Sequence, residues 1–137
     1  MNQVGCPYSR DPSDTRAGTG GPDDGSTFTN LATGTTEARF GGGNIRDEFV
    51  SEDSNEPATL SMANTGAPNT GGSQIFINVA DNWRLDWFSE GESRHPVFGR
   101  VTDRYDICVE MSKVKTDQDE KPLVPIKVLS VTISGMP

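Results

Sequence analysis

Thr59-Leu60-Ser61-Met62-Ala63-Asn64, then Thr65-Gly66-Ala67-Pro68-Asn69-Thr70-Gly71-Gly72, then Ser73-Gln74-Ile75-Phe76-Ile77-Asn78-Val79 is the stretch whose reading decides the fold. Its first block alternates apolar with small or polar side chains, the period of two that sets one face of a strand on a core. The middle block is Gly, Pro, Asn and Thr, which supply unusual backbone angles and local side-chain hydrogen bonds, so it predicts a turn. The last block is β-branched and aromatic, as strands are. Together the three predict two antiparallel strands joined by a tight connection.

Toward the C-terminus, Pro96-Val97-Phe98-Gly99-Arg100-Val101 reads as a third strand. Thr102 or Asp103 is then placed to cap a helix whose apolar face carries Ile107, Met111 and Val114 at i, i+4 and i+7, with Cys108 beside them. From Ile126 to Ile133, Leu129, Val131 and Ile133 alternate with Ser130 and Thr132, which predicts a last strand. Toward the N-terminus, Cys6 to Arg46 is rich in Gly, Pro, Asp, Ser and Thr and holds no sustained period. A loop of that length within a compact domain is a functional, ordered one when something pins it, and Phe28, Leu31 and Phe40 are the candidate pins. The resulting set, four strands and one helix, makes a half-closed antiparallel sheet whose edges need a partner.

Composition narrows the function. The 137 residues suit one domain, and a formal net charge of -8 repels nucleic-acid backbones and anionic membrane surfaces. No apolar run approaches the roughly 20 residues of a membrane span, and Met1-Asn2-Gln3-Val4-Gly5 has neither a basic nor an apolar leader character, so the expectation is a soluble chain without a targeting segment. Cys6 and Cys108 stand far apart, without a Cys-x-x-Cys or Cys/His grouping, and are expected to be free, buried thiols. With His95 as the lone histidine, no metal site is expected, nor any other cofactor. The glycine clusters Gly18 to Gly21 and Gly41 to Gly43 precede neither Lys-Ser/Thr nor an apolar helix, so they read as turns and not as phosphate cradles.

Five strings then stand out in order: Gly18-Thr19-Gly20-Gly21-Pro22, Asp47-Glu48-Phe49, Leu60 to Asn64, Asn69 to Ile77, and His95-Pro96-Val97-Phe98-Gly99. In order and spacing they resemble cyclophilin-type peptidyl-prolyl cis-trans isomerases along nearly the whole chain. The resemblance implies a mainly β fold, part of an eight-stranded antiparallel barrel, with one of the family's two helices retained. Met1 to Gly5 falls on the segment that closes the family's fourth strand. Residues 1–137 are therefore expected to be a single cyclophilin-like domain that lacks its N-terminal strands and first helix, truncated at a methionine internal to the family pattern.

Rotation about an X-Pro bond crosses a barrier of roughly 18–20 kcal/mol because amide resonance is lost on twisting. A catalyst has only to bind the twisted amide better than either planar isomer, by gripping the proline ring and hydrogen-bonding the pyramidal nitrogen or displaced carbonyl. The resemblance assigns the grip to Met1, Phe76, Leu85 and His95, and backbone contacts with the residue before proline to Ala63 and Asn64. It assigns the neighbouring rim to Gly18, Thr19 and Gln74, and to Gln3 the role of orienting the family's arginine.

Two departures accompany it. The Phe-His-Arg string that carries the family's catalytic arginine is absent from these residues, and Arg10, Arg16 and Arg39 match no catalytic position. Where many cyclophilins have an aromatic residue just before the pocket leucine, this chain has Arg84, with Trp83 one place earlier. Two functions compete: a proline-peptide isomerase, inactive or weakly active without the arginine segment, and a non-catalytic structural or binding subunit whose protein partner covers the open edges.

Overall fold

The computed structural model describes residues 1–31, 33–91 and 93–135. In chain order the strands are β1 (Asn2–Val4), β2 (Thr27–Thr29), β3 (Thr36–Ala38), β4 (Thr59–Met62), β5 (Ile75–Ile77) and β6 (Val97–Arg100), followed by the helix α1 (Tyr105–Met111). Single 3-10 turns occupy Pro7–Arg10 and Trp83–Leu85. The fold is mainly β, with all strand pairs antiparallel: one sheet in the order β1-β5-β4-β6 and a separate β2-β3 hairpin.

The predicted pair is β4 and β5. Leu60 faces Ile77, Ser61 faces Phe76 and Met62 faces Ile75, while β1 continues the rows by setting Gln3 opposite Phe76. Because side chains alternate across a strand, Gln3, Phe76 and Ser61 share one face; Val4, Leu60, Met62, Ile75 and Ile77 share the other. A bulge at Leu60/Ser61 shifts the register against β6. The connection between β4 and β5 is closed by its own polar side chains. The Gly66 amide donates to Asn64 Oδ1 at 2.9 Å, and the Thr70 hydroxyl donates to the Ala67 carbonyl at 2.7 Å. Asp47 and Asn69 clasp each other, each backbone N–H donating to the other's side-chain oxygen, at 2.9 and 2.8 Å. Gly5 has to be glycine: its φ is +96° and a Cβ there would lie 2.1 Å from the Ser73 carbonyl oxygen.

Five expectations are corrected. The stretch 126–133 is not a strand; Leu129, Val131 and Ile133 are 86, 75 and 71% exposed. Alternation yields a strand only where a neighbour takes the backbone hydrogen bonds, and no described strand lies beside it. Neither Asp103 nor Thr102 caps α1, because the chain turns into the helix through Arg104 at φ 55°. The half-buried face is accordingly Tyr105, Cys108, Val109 and Met111, while Ile107 is exposed and Val114 falls beyond the helix, also exposed. Residues 6–46 are not all loop, since they contain the β2-β3 hairpin and one 3-10 turn. Nor are Leu31 and Phe40 its pins: they are 68 and 40% exposed. Phe28 is half-buried under the Arg39 guanidinium, 4.9 Å from ring centroid to Cζ, and the buried residues of the segment are Cys6, Gly20 and Gly43.

No closed sheet is found among the described residues. Their buried apolar side chains are Cys6, Phe76 and Pro96, and the face of Leu60, Met62, Ile75 and Ile77 is left half-open. Both cysteines are free, Cys6 buried and Cys108 half-buried. No described helix is long and apolar enough to cross a membrane.

Candidate functional site

Phe76, at the centre of β5, is 2% exposed and meets the His95 ring edge-on, centroids 5.4 Å apart and planes at 73°. Hydrogen bonds from both its backbone and its ring hold His95. Its backbone N–H donates to the Leu85 carbonyl at 2.9 Å, and its Nδ1 lies 2.9 Å from the Met62 carbonyl. A carbonyl can only accept, so Nδ1 carries a proton and donates. Leu85 is half-buried at the end of the Trp83–Leu85 turn. The Trp83 ring beside it is 56% exposed, with the Arg84 guanidinium 5.3 Å from its centroid, so the aromatic residue one place early faces solvent.

A second group forms along β1 and β5. Gln3 Nε2 donates to Gln74 Oε1 at 2.8 Å, and Gln74 Nε2 donates to the carbonyls of Gly18 and Gly20, each at 2.9 Å. Thr19, between those glycines, is exposed and turns its hydroxyl back to the Arg16 carbonyl at 2.7 Å. Ala63 donates its N–H to the Gln74 carbonyl at 3.0 Å. Asn64 spends its side chain internally, with Nδ2 donating to the Arg94 carbonyl at 2.6 Å and Oδ1 accepting from Gly66. Met1 stands apart, 55% exposed at the end of β1.

The structure thus links Asn64, His95, Leu85 and Phe76 in one chain of contacts and Gln3, Gln74 and Gly18 in another, joined through β5. Phe76 lines neither of two hollows, of about 220 and 270 Å³, that lie along β4 and β6. The first is lined by Ile45, Met62, Gly71, Pro96 and Phe98 and shares only Asn64 with the expected site.

Beneath the His95–Phe76 contact lies a polar layer that sequence reasoning missed. Asn55, Thr59, Ser61, Asn78 and Asp86 are at most 4% exposed and hydrogen-bonded to one another. Glu52-Asp53-Ser54-Asn55-Glu56 looks like a solvated loop, and no period marks the one residue that turns inward. The aromatic residues of this region form a further cluster: Trp87 stacks on Phe49 at 5.0 Å, Phe88 meets Trp87 edge-on, and Trp87 Nε1 donates to the Ser51 carbonyl at 2.7 Å.

Cys6 lies behind the Gly18–Gly20 rim. Burial pushes its thiol up, but backbone N–H groups, Gly20 foremost, outweigh that and leave it below the ordinary cysteine value. The Gly20 amide donates to Sγ at 3.3 Å. Burial of Cys108 pushes its thiol above the ordinary value.

Compared with known proteins, residues 5–133 match the family described as cyclophilin type peptidyl-prolyl cis-trans isomerase/CLD. The chain belongs to the cyclophilin-type peptidyl-prolyl isomerase family. It is 44% identical over 105 residues to peptidyl-prolyl cis-trans isomerase CYP71 of Arabidopsis thaliana, covering 75% of this chain and 15% of that protein. It is 33% identical over 134 residues to peptidyl-prolyl cis-trans isomerase 10 of Caenorhabditis elegans, covering 97% of this chain and 74% of that one. The chain therefore spans a small part of some relatives and about three quarters of another. A solved Cryptosporidium parvum cyclophilin-type isomerase shares the fold at a TM-score of 0.64 and 24% identity, covering 98% of this cyclophilin-family chain and 67% of that chain. The same protein solved in the presence of the dipeptide Ala-Pro matches at a TM-score of 0.50 and 27% identity, covering 60 and 49%.

Proposed function

We propose that this cyclophilin-family chain binds X-Pro segments, with the proline ring directed at the Phe76–His95 pair and Leu85 and the preceding residue running past Ala63 and Asn64. The observation that carries the reading is the edge-on Phe76–His95 pair, bonded on one side to Leu85 and on the other to β4. Among the described residues, the backbone N–H and C=O of Asn64 take no hydrogen bond, so an extended peptide has a place to pair. The Cryptosporidium parvum relative solved in the presence of Ala-Pro supports proline peptides as the ligand class. Because Phe76 is almost fully covered, ligand uptake requires the segment carrying Leu85 and His95 to move outward.

Turnover is a separate matter. These 137 residues hold no Phe-His-Arg string, so here the ring is gripped without a cation for the amide nitrogen. We read residues 1–137 as a cyclophilin-like domain short of its N-terminal strands and first helix, with Gln3 in place to orient an arginine from that missing part. On its own the chain is expected to isomerise proline peptides weakly or not at all. A protease-coupled prolyl peptide assay tests this on the chain itself and on a version extended upstream by a cyclophilin segment containing Phe-His-Arg. Activity in the extended form alone supports the reading; no binding of Ala-Pro by either form sinks it.

The second reading, a non-catalytic subunit of a larger assembly, is favoured by the half-open face of Leu60, Met62, Ile75 and Ile77 and by the exposed stretch 126–133. A protein partner that adds a strand to an edge of the sheet would cover that face. A cooperatively melting monomer at all concentrations speaks against it.

A further inference from the structure

Asn55 is fully buried, and each of its polar groups is engaged. Its backbone N–H donates to Asp86 Oδ1 at 2.7 Å, and its backbone carbonyl accepts from the Asn82 amide at 2.9 Å. Nδ2 divides its two hydrogens between Asp86 Oδ1, at 2.8 Å, and the His95 carbonyl, at 3.1 Å. Oδ1 accepts from the Ser61 hydroxyl at 2.7 Å and from Asn78 Nδ2 at 3.3 Å. One side chain therefore joins β4, β5 and both ends of the loop that runs from Asp86 to His95.

We propose that Asn55 is a positioning residue for the proline site, fixing Leu85 and His95 against Phe76; the proposal rests on the proline-binding reading above. Among the described residues the neck of the loop is held by this amide, by the His95-to-Leu85 backbone bond, and by the bonds of His95 Nδ1 to the Met62 carbonyl and of Asn64 Nδ2 to the Arg94 carbonyl; of the side chains, Asn55 is the one that touches both Asp86 and His95. No smaller or differently charged side chain does the same work. Alanine deprives Asp86 and the His95 carbonyl of a donor in a buried place, and aspartate would set a second carboxylate against Asp86. A leucine, branched at the same carbon but bulkier, would leave Ser61 and Asn78 without their shared acceptor. Displacing the loop by a fraction of an ångström moves both Leu85 and His95, the two residues that a bound proline ring would touch opposite Phe76.

His95 is the chain's one histidine, so its imidazole Hε1 signal in a proton NMR spectrum reports the loop without ambiguity. N55A is expected to move or broaden that signal in the free protein and to weaken Ala-Pro binding about tenfold. The comparison is T59A: Thr59 is 1% exposed and bonded to Asn78, but makes no hydrogen bond to the described residues of 82–95. T59A is expected to lower the melting temperature while leaving the His95 signal and the Ala-Pro affinity as in the wild type. Should N55A not fold, N55S takes its place, since it keeps a polar group at the buried position but loses the amide that donates to Asp86 and to the His95 carbonyl, and the same displacement of His95 is expected. An unmoved His95 signal in a folded N55A or N55S overturns the proposal, as does an equal movement in T59A. If wild type itself fails to bind Ala-Pro, the proline-binding reading falls, and the His95 signal still decides whether Asn55 positions the loop.

Discussion

Gln3 Nε2 donates to Gln74 Oε1 at 2.8 Å across the β1–β5 pair, and this bond orients the Gln74 amide so that its two hydrogens meet the carbonyls of Gly18 and Gly20. A carbonyl cannot donate, so the nitrogen must face the glycines and the oxygen must face Gln3. The loop 18–20 is thereby tied to the sheet through one side chain. Gln74→Ala removes all three bonds at a partly exposed site and is expected to cost about 1 kcal/mol, measured by urea unfolding. The amides of Gly18 to Gly20 should exchange faster at the same time, and unchanged exchange there would count against the tie.

Ala58 has φ 72°, in the left-handed region where a Cβ is crowded. It is held there from both sides: its N–H donates to the Asn78 carbonyl at 2.9 Å, and its carbonyl accepts from the Val101 amide at 2.8 Å. Relief of the strain in Ala58→Gly exceeds the extra freedom that glycine gives the unfolded chain, so a stabilisation of about 0.5–1 kcal/mol is expected. Calorimetry should show a melting temperature a few degrees higher. A lower one would mean that the backbone relaxes at no cost.

Asp14 is held down to about 2 by hydrogen bonds from Arg16, whose guanidinium lies 2.7 Å from Oδ2. The folded value lies below the ordinary carboxylate value of 3.8, so the group's contribution is complete above that value and is lost as pH falls through about 2. Arg16→Ala should raise the Asp14 value part of the way toward the ordinary carboxylate range in a carbon-detected NMR titration, because the backbone N–H of residue 16 still donates to Oδ1. The pair is exposed, so the melting temperature near neutral pH should hardly change.

What the sequence shows of this fold depends on where each signal originates. The β4–β5 pair is legible because alternation at Leu60 and Met62 and turn chemistry from Thr65 to Gly72 are local, and the structure satisfies them locally. The expected site residues are legible through the ordered strings of the family and not through any period of their own. Asn55 and Asp86 are illegible, because a buried polar residue differs from a solvated one only in its distant partners, 31 positions apart here. The helix face came out rotated because Arg104, and not a capping side chain, starts α1. The stretch 126–133 shows the opposite failure, since its pattern describes a neighbour that the described sheet does not supply.

That stretch separates an open sheet from a closed barrel. If it stays unpaired, Leu129→Lys and Val131→Lys exchange exposed apolar groups for solvated charges, and stability should change by no more than about 0.5 kcal/mol. Solubility should rise, because an exposed β-prone segment is a template for association and lysine blunts it. In a chain extended upstream, where a neighbouring strand could bury one face of 126–133, lysine on that buried face should cost several kcal/mol, since it places an unpaired charge in a core. Hydrogen exchange at the amides of Leu129 and Val131, fast in this chain and slowed in the extended one, is the direct measurement. Protection of those amides already present here would show that the strand has found its partner and that the sheet is not open along this edge.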